Sequence, residues 1–447
     1  MQSGSVDSSS PGWSSRFAFL MASIGFAVGL GNIWRFPYIT GENGGGAFVL
    51  IYLICAFTIA VPILMAEVMI GRRGKMSPPG AMAQVASEQG KSAHWRWVGM
   101  MGLLTAFLIM VTYCVVTGWV LEYLFVAIKT GFSGVDAESS AQAFSAVQTN
   151  VLGSLFWTFL GLSLTGSIIY AGVQNGIERA VTILMPCLFV MMVALVLYNM
   201  VVGGFDEAVA YMFSVDFSKV TPYVVLIALG QAFFSIGVAM GGMMTFGAYL
   251  PRSISIPRSV LIIVLADTSV ALLAGLVIFP AVFLYGLDPG GGPGLIFQTL
   301  PVAFAQMPGG HFVSIVFFLL LSVAAVTSMV GLIEPLAHWL EEHRDFSRHT
   351  STLVILGSIA FLGIFSVLGY NIMSDANLNV TLDYLSNQIL LPVGGLLIAI
   401  FAAWFINKDD SRDELDMEDG LLFKLWHLLI RFVVPPAVFV VFVLGVM

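Results

Sequence analysis

A single carboxylate, Asp267, stands in an otherwise apolar run, LIIVLADTSVALLAGLVIF, where an unpaired charge would be costly, so its default reading is functional, with a cationic partner. Two glycine clusters could help to hold a cation: Gly25, Gly29 and Gly31 in GFAVGLGN, and Gly237, Gly241 and Gly242 in SIGVAMGGM. Glycine is unfavourable inside a helix, so each cluster can mark an unwound point that frees backbone carbonyls. Asn32, Gln231 and Ser235 add side-chain oxygen nearby, which suits a hard cation such as sodium. Half-helix N-termini would present N–H groups to a carboxylate at the same place. Close helix packing is the competing reading; it explains a lone Gly-x-Gly well and a matched pair poorly. Catalysis is not indicated, because the six histidines (His94, His311, His338, His343, His349 and His427) lie mostly at the ends of apolar runs, without ligand spacing.

The elements that must position these residues are membrane helices. The chain of 447 residues is 58% apolar and 10% charged, whereas a soluble domain carries about 25% charged residues. Eleven apolar runs are each long enough for a hydrocarbon core about 30 Å thick: 17–39, 47–70, 98–129, 152–170, 178–200, 224–250, 259–286, 312–342, 350–370, 381–406 and about 425–446. The two glycine clusters fall in the first and sixth runs, which fits an all-α membrane protein with an inverted five-plus-five repeat and helices 1 and 6 unwound at the midplane. The expected organisation is a tail over 1–16, a first repeat over 17–200, a second over 201–406, and an acidic loop with helix 11 over 407–447.

Positive residues in short loops stay cytoplasmic. With the N-terminus inside, all of the 18 Lys and Arg residues fall on the inner side except Arg35, Lys129 and Lys219 outside and Arg431 within or near the last helix. The expected setting is therefore the plasma (cytoplasmic) membrane, a cell inner membrane, with the C-terminus outside. Much of the net charge of −8 comes from Asp409 to Asp419, read as a solvated loop. Cys55, Cys114 and Cys187 fall in apolar runs and read as packing residues. Residues 287–311 read as a hairpin dipping into an outer vestibule, 71–97 as a basic inner loop and 130–151 as a Ser/Ala-rich outer loop.

The stretch GLGNIWRFPYITGENGGGAF, Gly29 to Phe48, resembles the neurotransmitter:sodium symporter family, in its bacterial, leucine-transporter-like form. GQAFFSIG (Gly230 to Gly237), AGLVIFP (Ala274 to Pro280) and AVTSMVGLIEP (Ala325 to Pro335) fit the same family in order, and the resemblance runs from about Trp13 to Leu444. It implies the leucine-transporter fold and sodium-coupled symport of a small neutral amino acid or related zwitterion by alternating access. A sodium-dependent sensor with little transport would use the same binding residues. No nucleic-acid partner is expected.

The resemblance also implies two sodium sites. The first would use Ala27, Asn32, Ser235 and Asp267, completed by the substrate carboxylate; the second would use Gly25, Val28, Ala324, Thr327 and Ser328. Taken alone, Thr327 and Ser328 would read as hydroxyls bonding back to their own helix. Asp267 replaces the family's usual asparagine. Tyr52, Gln231 and Ser235 match a chloride site of animal relatives, but its helix 7 serine is Ala271 here. Asp267 is thus expected to supply fixed negative charge, so that chloride is not required; its protonation on the empty return limb would instead give proton antiport.

By the same resemblance the substrate pocket would be walled by Phe26, Gly29, Gly31, Ile109, Tyr113, Phe234, Gly237, Met240, Ser328 and Leu332. Amine-carrying relatives have an aspartate at the position of Gly29, so glycine implies a substrate with its own carboxylate. Arg35 and Asp383 would pair as an outer gate above the Tyr113 and Phe234 lid. Trp13, Tyr249 and Glu342 match an inner gate whose arginine falls on Ser10, with Arg16 the nearest cation. Glu67 matches a glutamate that braces the breaks in helices 1 and 6.

Overall fold

A computed structural model describes residues 12–371, 373 and 378–446. Among them all regular structure is helical. Unbroken helices cross as helix 2 (Gly46–Gly74), 3 (Ala93–Thr130), 4 (Val151–Tyr170), 5 (Val173–Val202), 7 (Ile256–Leu284), 8 (Gly310–Arg344), 9 (Arg348–Gly369), 10 (Leu378–Phe405) and 11 (Leu421–Gly445). Helix 1 is a bent pair, Arg16–Ala27 and Gly31–Glu42, turning by 48° at the break. Helix 6 is also in two pieces, Pro222–Ile236 and Gly242–Ala248.

Backbone sterics explain both breaks. Helix 1 stops at Val28, which swings into extended conformation (φ −74°, ψ 99°). Helix 6 stops because Gly237 and Gly241 adopt φ of +74° and +75°, a region that costs a residue with a Cβ far more than glycine. Between them Ala239 has φ +63° and keeps it because Glu67 Oε1 accepts a hydrogen bond from its N–H at 2.5 Å. Glu67 therefore braces helix 6; its Oε2 has no hydrogen-bond partner, and no bond joins Glu67 to helix 1 among the described residues. Close packing governs other glycines: a Cβ on Gly71 would lie 1.9 Å from the Met244 carbonyl oxygen, so helices 2 and 6 touch backbone to backbone.

Helix 8 lies at the centre and is mostly buried, whereas helix 11 is peripheral and mostly uncovered. Two connections differ from their sequence reading. Residues 287–311 do not line the vestibule described below; Leu295–Thr299 and Leu300–Gln306 are helical and carry Phe297 into a buried aromatic cluster with Trp34, Trp119, Tyr123 and Phe144. Their apolar side chains are better satisfied inside protein than against an aqueous cleft.

The acidic run is not simply a solvated loop. It begins as a helix, Lys408–Leu415, whose Glu414 is 2% exposed and receives Arg72 Nε at 2.6 Å and Arg252 Nη2 at 3.1 Å. Two guanidinium groups make burial of that carboxylate tolerable. The end of the molecule bearing Arg72 and Arg252 is called the basic face below. Cys55 and Cys114 are buried as packing residues, but Cys187 is exposed on the outer surface of helix 5.

Candidate binding site between the broken helices

Asn32, just past the break in helix 1, points its amide nitrogen at helix 7, donating to Asp267 Oδ1 at 2.7 Å, the Asp267 carbonyl at 3.0 Å and Ser235 Oγ at 2.8 Å. Ser235 Oγ donates to Asp267 Oδ2 at 2.9 Å, and the Tyr52 hydroxyl reaches the same oxygen at 3.4 Å. All four residues are buried. The carboxylate thus faces weak N–H and O–H donors and no cationic side chain, an arrangement in which a bound cation would take over from the Asn32 amide. Gln231 Nε2 donates to the Gly31 carbonyl at 2.8 Å, tying helix 6 to the same break, while its Oε1 is buried without a partner.

A second cluster of oxygen forms where helix 8 meets helix 1. Ser328 Oγ lies 3.2 Å from the carbonyl of Gly25, 3.1 Å from that of Phe26 and 3.3 Å from that of Val28. One hydroxyl proton cannot satisfy three carbonyls, so the oxygens freed at the break remain under-donated, which suits a hard cation. Thr327 Oγ1 bonds back within its own helix to the carbonyls of Val323 at 3.0 Å and Ala324 at 3.1 Å, and its Cβ packs close to Gly25, where an added Cβ would lie 3.3 Å away.

Between the clusters lies a cavity of about 30 Å³ lined by Phe26, Ala27, Gly29, Gly31, Ile109, Tyr113, Phe234, Gly237, Met240, Ser328 and Leu332. All ten residues named from sequence for the substrate line this one space, with Ala27 in addition. Its walls carry no Asp, Glu, Lys or Arg side chain. The fit is tight: a Cβ on Gly29 would lie 2.2 Å from Ser328 Oγ and 2.8 Å from the Tyr113 hydroxyl, and Cβ atoms on Gly237, Gly242 and Gly331 would strike the Phe26 ring. Tyr113 already accepts the Leu30 N–H at 3.0 Å, so hydroxyl and freed amides converge at the break.

Above the cavity, sharing Ile109, Tyr113 and Phe234 with it, opens a vestibule of about 320 Å³. Arg35 and Asp383 both line it but do not form an ion pair within 4.0 Å. Instead the Arg35 guanidinium lies 4.7 Å from the Phe234 ring centre, and Asp383 Oδ1 accepts from Asn387 at 2.7 Å. The open vestibule holds the two charges apart, and each takes a local partner.

The basic face is closed by Trp13 and Tyr249, two of the expected residues, with Glu334 in place of Glu342. Trp13 donates from Nε1 to the Phe246 carbonyl at 3.0 Å and from its backbone to Tyr249 at 3.2 Å. The Tyr249 hydroxyl meets Glu334, not Glu342, at 3.0 Å, and Glu334 also receives Arg348 Nη1 at 2.9 Å. Glu342 accepts the Ser77 N–H at 2.6 Å. Arg16 is exposed and forms no ion pair among the described residues, and Ser10 lies outside them. The chain before helix 1 is held on helix 5 by Gln174, which donates to the Gly12 carbonyl at 2.9 Å, and by Glu178, which accepts the Ser14 N–H at 3.2 Å. Sequence reasoning missed Glu334; a carboxylate inside GLIEPLA was open to the argument applied to Asp267.

Comparison with known proteins now identifies the frame. The chain matches the Sodium:neurotransmitter symporter family over residues 10–142 and 138–447. It is 36% identical to a sodium-dependent transporter of Bacillus subtilis, with 96% of each chain covered, and 34% identical to one of Haemophilus influenzae, covering 96% of this chain and 97% of that one. It is also similar to the crystal structure of MhsT in complex with L-phenylalanine, at a TM-score of 0.90 and 40% identity, with 98% of this chain and 99% of that chain covered. Two broken helices around an oxygen-lined cavity, in a chain matched across almost its whole length, therefore have a settled family: the protein belongs to the sodium:neurotransmitter symporters.

Proposed function

We propose that the protein carries a small neutral amino acid, or a zwitterion of similar size, together with sodium, by alternating access. The observation that carries this reading is the lining of the cavity at the helix 1 and 6 breaks, whose walls hold no side chain able to pair a substrate charge. A substrate carboxylate would meet the freed amides beside Gly29 and Gly31 and the Tyr113 hydroxyl, as helix N-termini favour. MhsT, a similar protein, has been solved with L-phenylalanine, which supports an amino acid here.

Two sodium ions would travel with it. The first would be held by Ala27, Asn32, Ser235 and Asp267, and the second by Gly25, Val28, Ala324, Thr327 and Ser328. Asp267 would supply the fixed negative charge beside Tyr52, Gln231 and Ser235, leaving chloride dispensable. The halves 17–200 and 201–406 would alternate between a state open through the vestibule and one open at the basic face. Arg35 and Asp383 would close on each other in the first step, and the contacts of Trp13 and the Tyr249, Glu334 and Arg348 set would break in the second. The positive-inside rule makes the basic face cytoplasmic, so the N-terminus would be inside and the C-terminus outside the plasma membrane.

The test is uptake by purified protein in liposomes of labelled neutral amino acids, taurine and betaine under an inward sodium gradient, against equal sodium and against potassium. Accumulation of one solute only with the gradient supports symport and names the substrate. Binding without accumulation, or no binding at all, refutes it.

A further inference from the structure

Arg431 lies ten positions into helix 11, about 15 Å along its axis from Leu421. This peripheral helix turns Leu425, Leu428 and Phe432 outward, so its outer side meets lipid. The Arg431 guanidinium lies 5.6 Å from the Trp404 ring and 5.5 Å from that of Phe432. Its Nε is buried without a hydrogen-bond partner, and no carboxylate reaches it within 4.0 Å among the described residues. Lys424, His427 and Arg431 stand at i, i+3 and i+7, on one side of the helix. The charged groups acting on His427 are Arg431 and Lys408, both cations.

Such a stripe needs an anion, because unpaired positive charge at membrane depth is costly and ring faces offset only part of that cost. The neighbouring acidic run does not supply it: among the described residues no carboxylate of Asp409 to Asp419 comes within 4.0 Å of Lys424, His427 or Arg431. A second copy of the chain has little to offer at this depth either. The membrane carboxylates Glu67, Asp267 and Glu334 are fully buried, and Glu122 lies toward the end of helix 3 opposite the basic face. A phospholipid of the leaflet at the basic face brings a phosphate to this level, and an arginine or lysine can extend along the helix to meet it.

We infer that the lipid-facing side of helix 11 binds the phosphate of one anionic phospholipid through Lys424, His427 and Arg431, with Lys408 at the rim. The acyl chains then lie over Leu425, Leu428 and Phe432. The site is far from the central cavity and stands whether or not the transported solute is an amino acid.

Native mass spectrometry of the full-length protein, titrated in detergent with phosphatidylglycerol or phosphatidylcholine, tests it. Wild type is expected to retain one phosphatidylglycerol in preference to phosphatidylcholine. Arg431→Gln should weaken that retention roughly fivefold, and Lys424→Gln similarly, as for a basic residue facing an anionic surface. Arg431→Lys should restore most of it, which a merely structural role for the guanidinium would not. Lys424 is exposed at the helix start, so its variant keeps the test available if Arg431→Gln does not fold. Equal retention of both lipids by wild type and variants would overturn the inference. So would loss of a dimer in Arg431→Gln with lipid retention unchanged, which would make a second copy the partner, or displacement of the lipid by millimolar inorganic phosphate.

Discussion

Asn32 and Asp267 face each other across helices 1 and 7, with amide nitrogen and carboxylate oxygen 2.7 Å apart. A cation seated between them would replace that hydrogen bond by two oxygen ligands, since the amide can turn its own oxygen toward the metal. Replacing the carboxylate should therefore act on sodium first. Asp267→Asn removes one charged ligand, worth about 2 kcal/mol, and should raise the sodium concentration for half-maximal uptake roughly thirtyfold. An unchanged sodium dependence in liposomes would remove Asp267 from the ion shell.

Chloride gives a separate check. Wild-type uptake should be the same in sodium chloride and sodium gluconate, because Asp267 already places negative charge beside Tyr52 and Ser235. Uptake that vanishes in gluconate would show that the carboxylate does not stand in for the halide.

Gly29 is a steric prediction. In Gly29→Ala the new methyl would sit 2.2 Å from Ser328 Oγ and 2.8 Å from the Tyr113 hydroxyl, two side chains that line the cavity and could give way only by moving within it, and substrate binding should fall at least about a hundredfold. Gly357→Ala is the control: nothing lies within 4 Å of its Cβ position on helix 9, so uptake should match wild type. Scintillation proximity binding separates the two.

Glu67 can be split into its charge and its acceptor. Glu67→Ala leaves the buried Ala239 N–H without a partner and should cost about 1–3 kcal/mol of stability, read as earlier loss of monodispersity on heating in detergent. Glu67→Gln keeps a carbonyl oxygen at that point and should recover most of it. Equal losses in both variants would mean that the charge, not the bond to Ala239, is what matters.

Closure at the basic face should respond to Glu334. Glu334→Gln weakens its buried contacts with both Tyr249 and Arg348, a change of about 2 kcal/mol that shifts the open population roughly thirtyfold. Thiol labelling of Phe246→Cys, buried beneath Trp13, in a background lacking Cys55, Cys114 and Cys187, should accelerate by that factor. Glu342→Gln should leave the labelling rate unchanged.

The apolar runs alone determined a helical membrane protein, because a bilayer requires each spanning segment to satisfy its own backbone. Glycine at Gly237 and Gly241 likewise announced the break in helix 6, since positive φ is a local property of the residue. The cavity lining was legible only through the family resemblance, which carries over the positions on the helices facing those breaks.

What only the tertiary structure decided is which charges meet. Glu334 and Glu342 stand eight positions apart on helix 8, about 12 Å along its axis, and the family resemblance pointed to Glu342 alone. The packing of helix 6 against helix 8 chooses Glu334 and leaves Glu342 to the Ser77 amide. In the same way Arg72 and Arg252, far apart in sequence, turn part of an acidic run into a docked helix, and an open vestibule keeps Arg35 from Asp383. Ion pairs form between elements remote in the chain, and their lengths depend on helix rotations of a few ångströms that composition and periodicity do not encode.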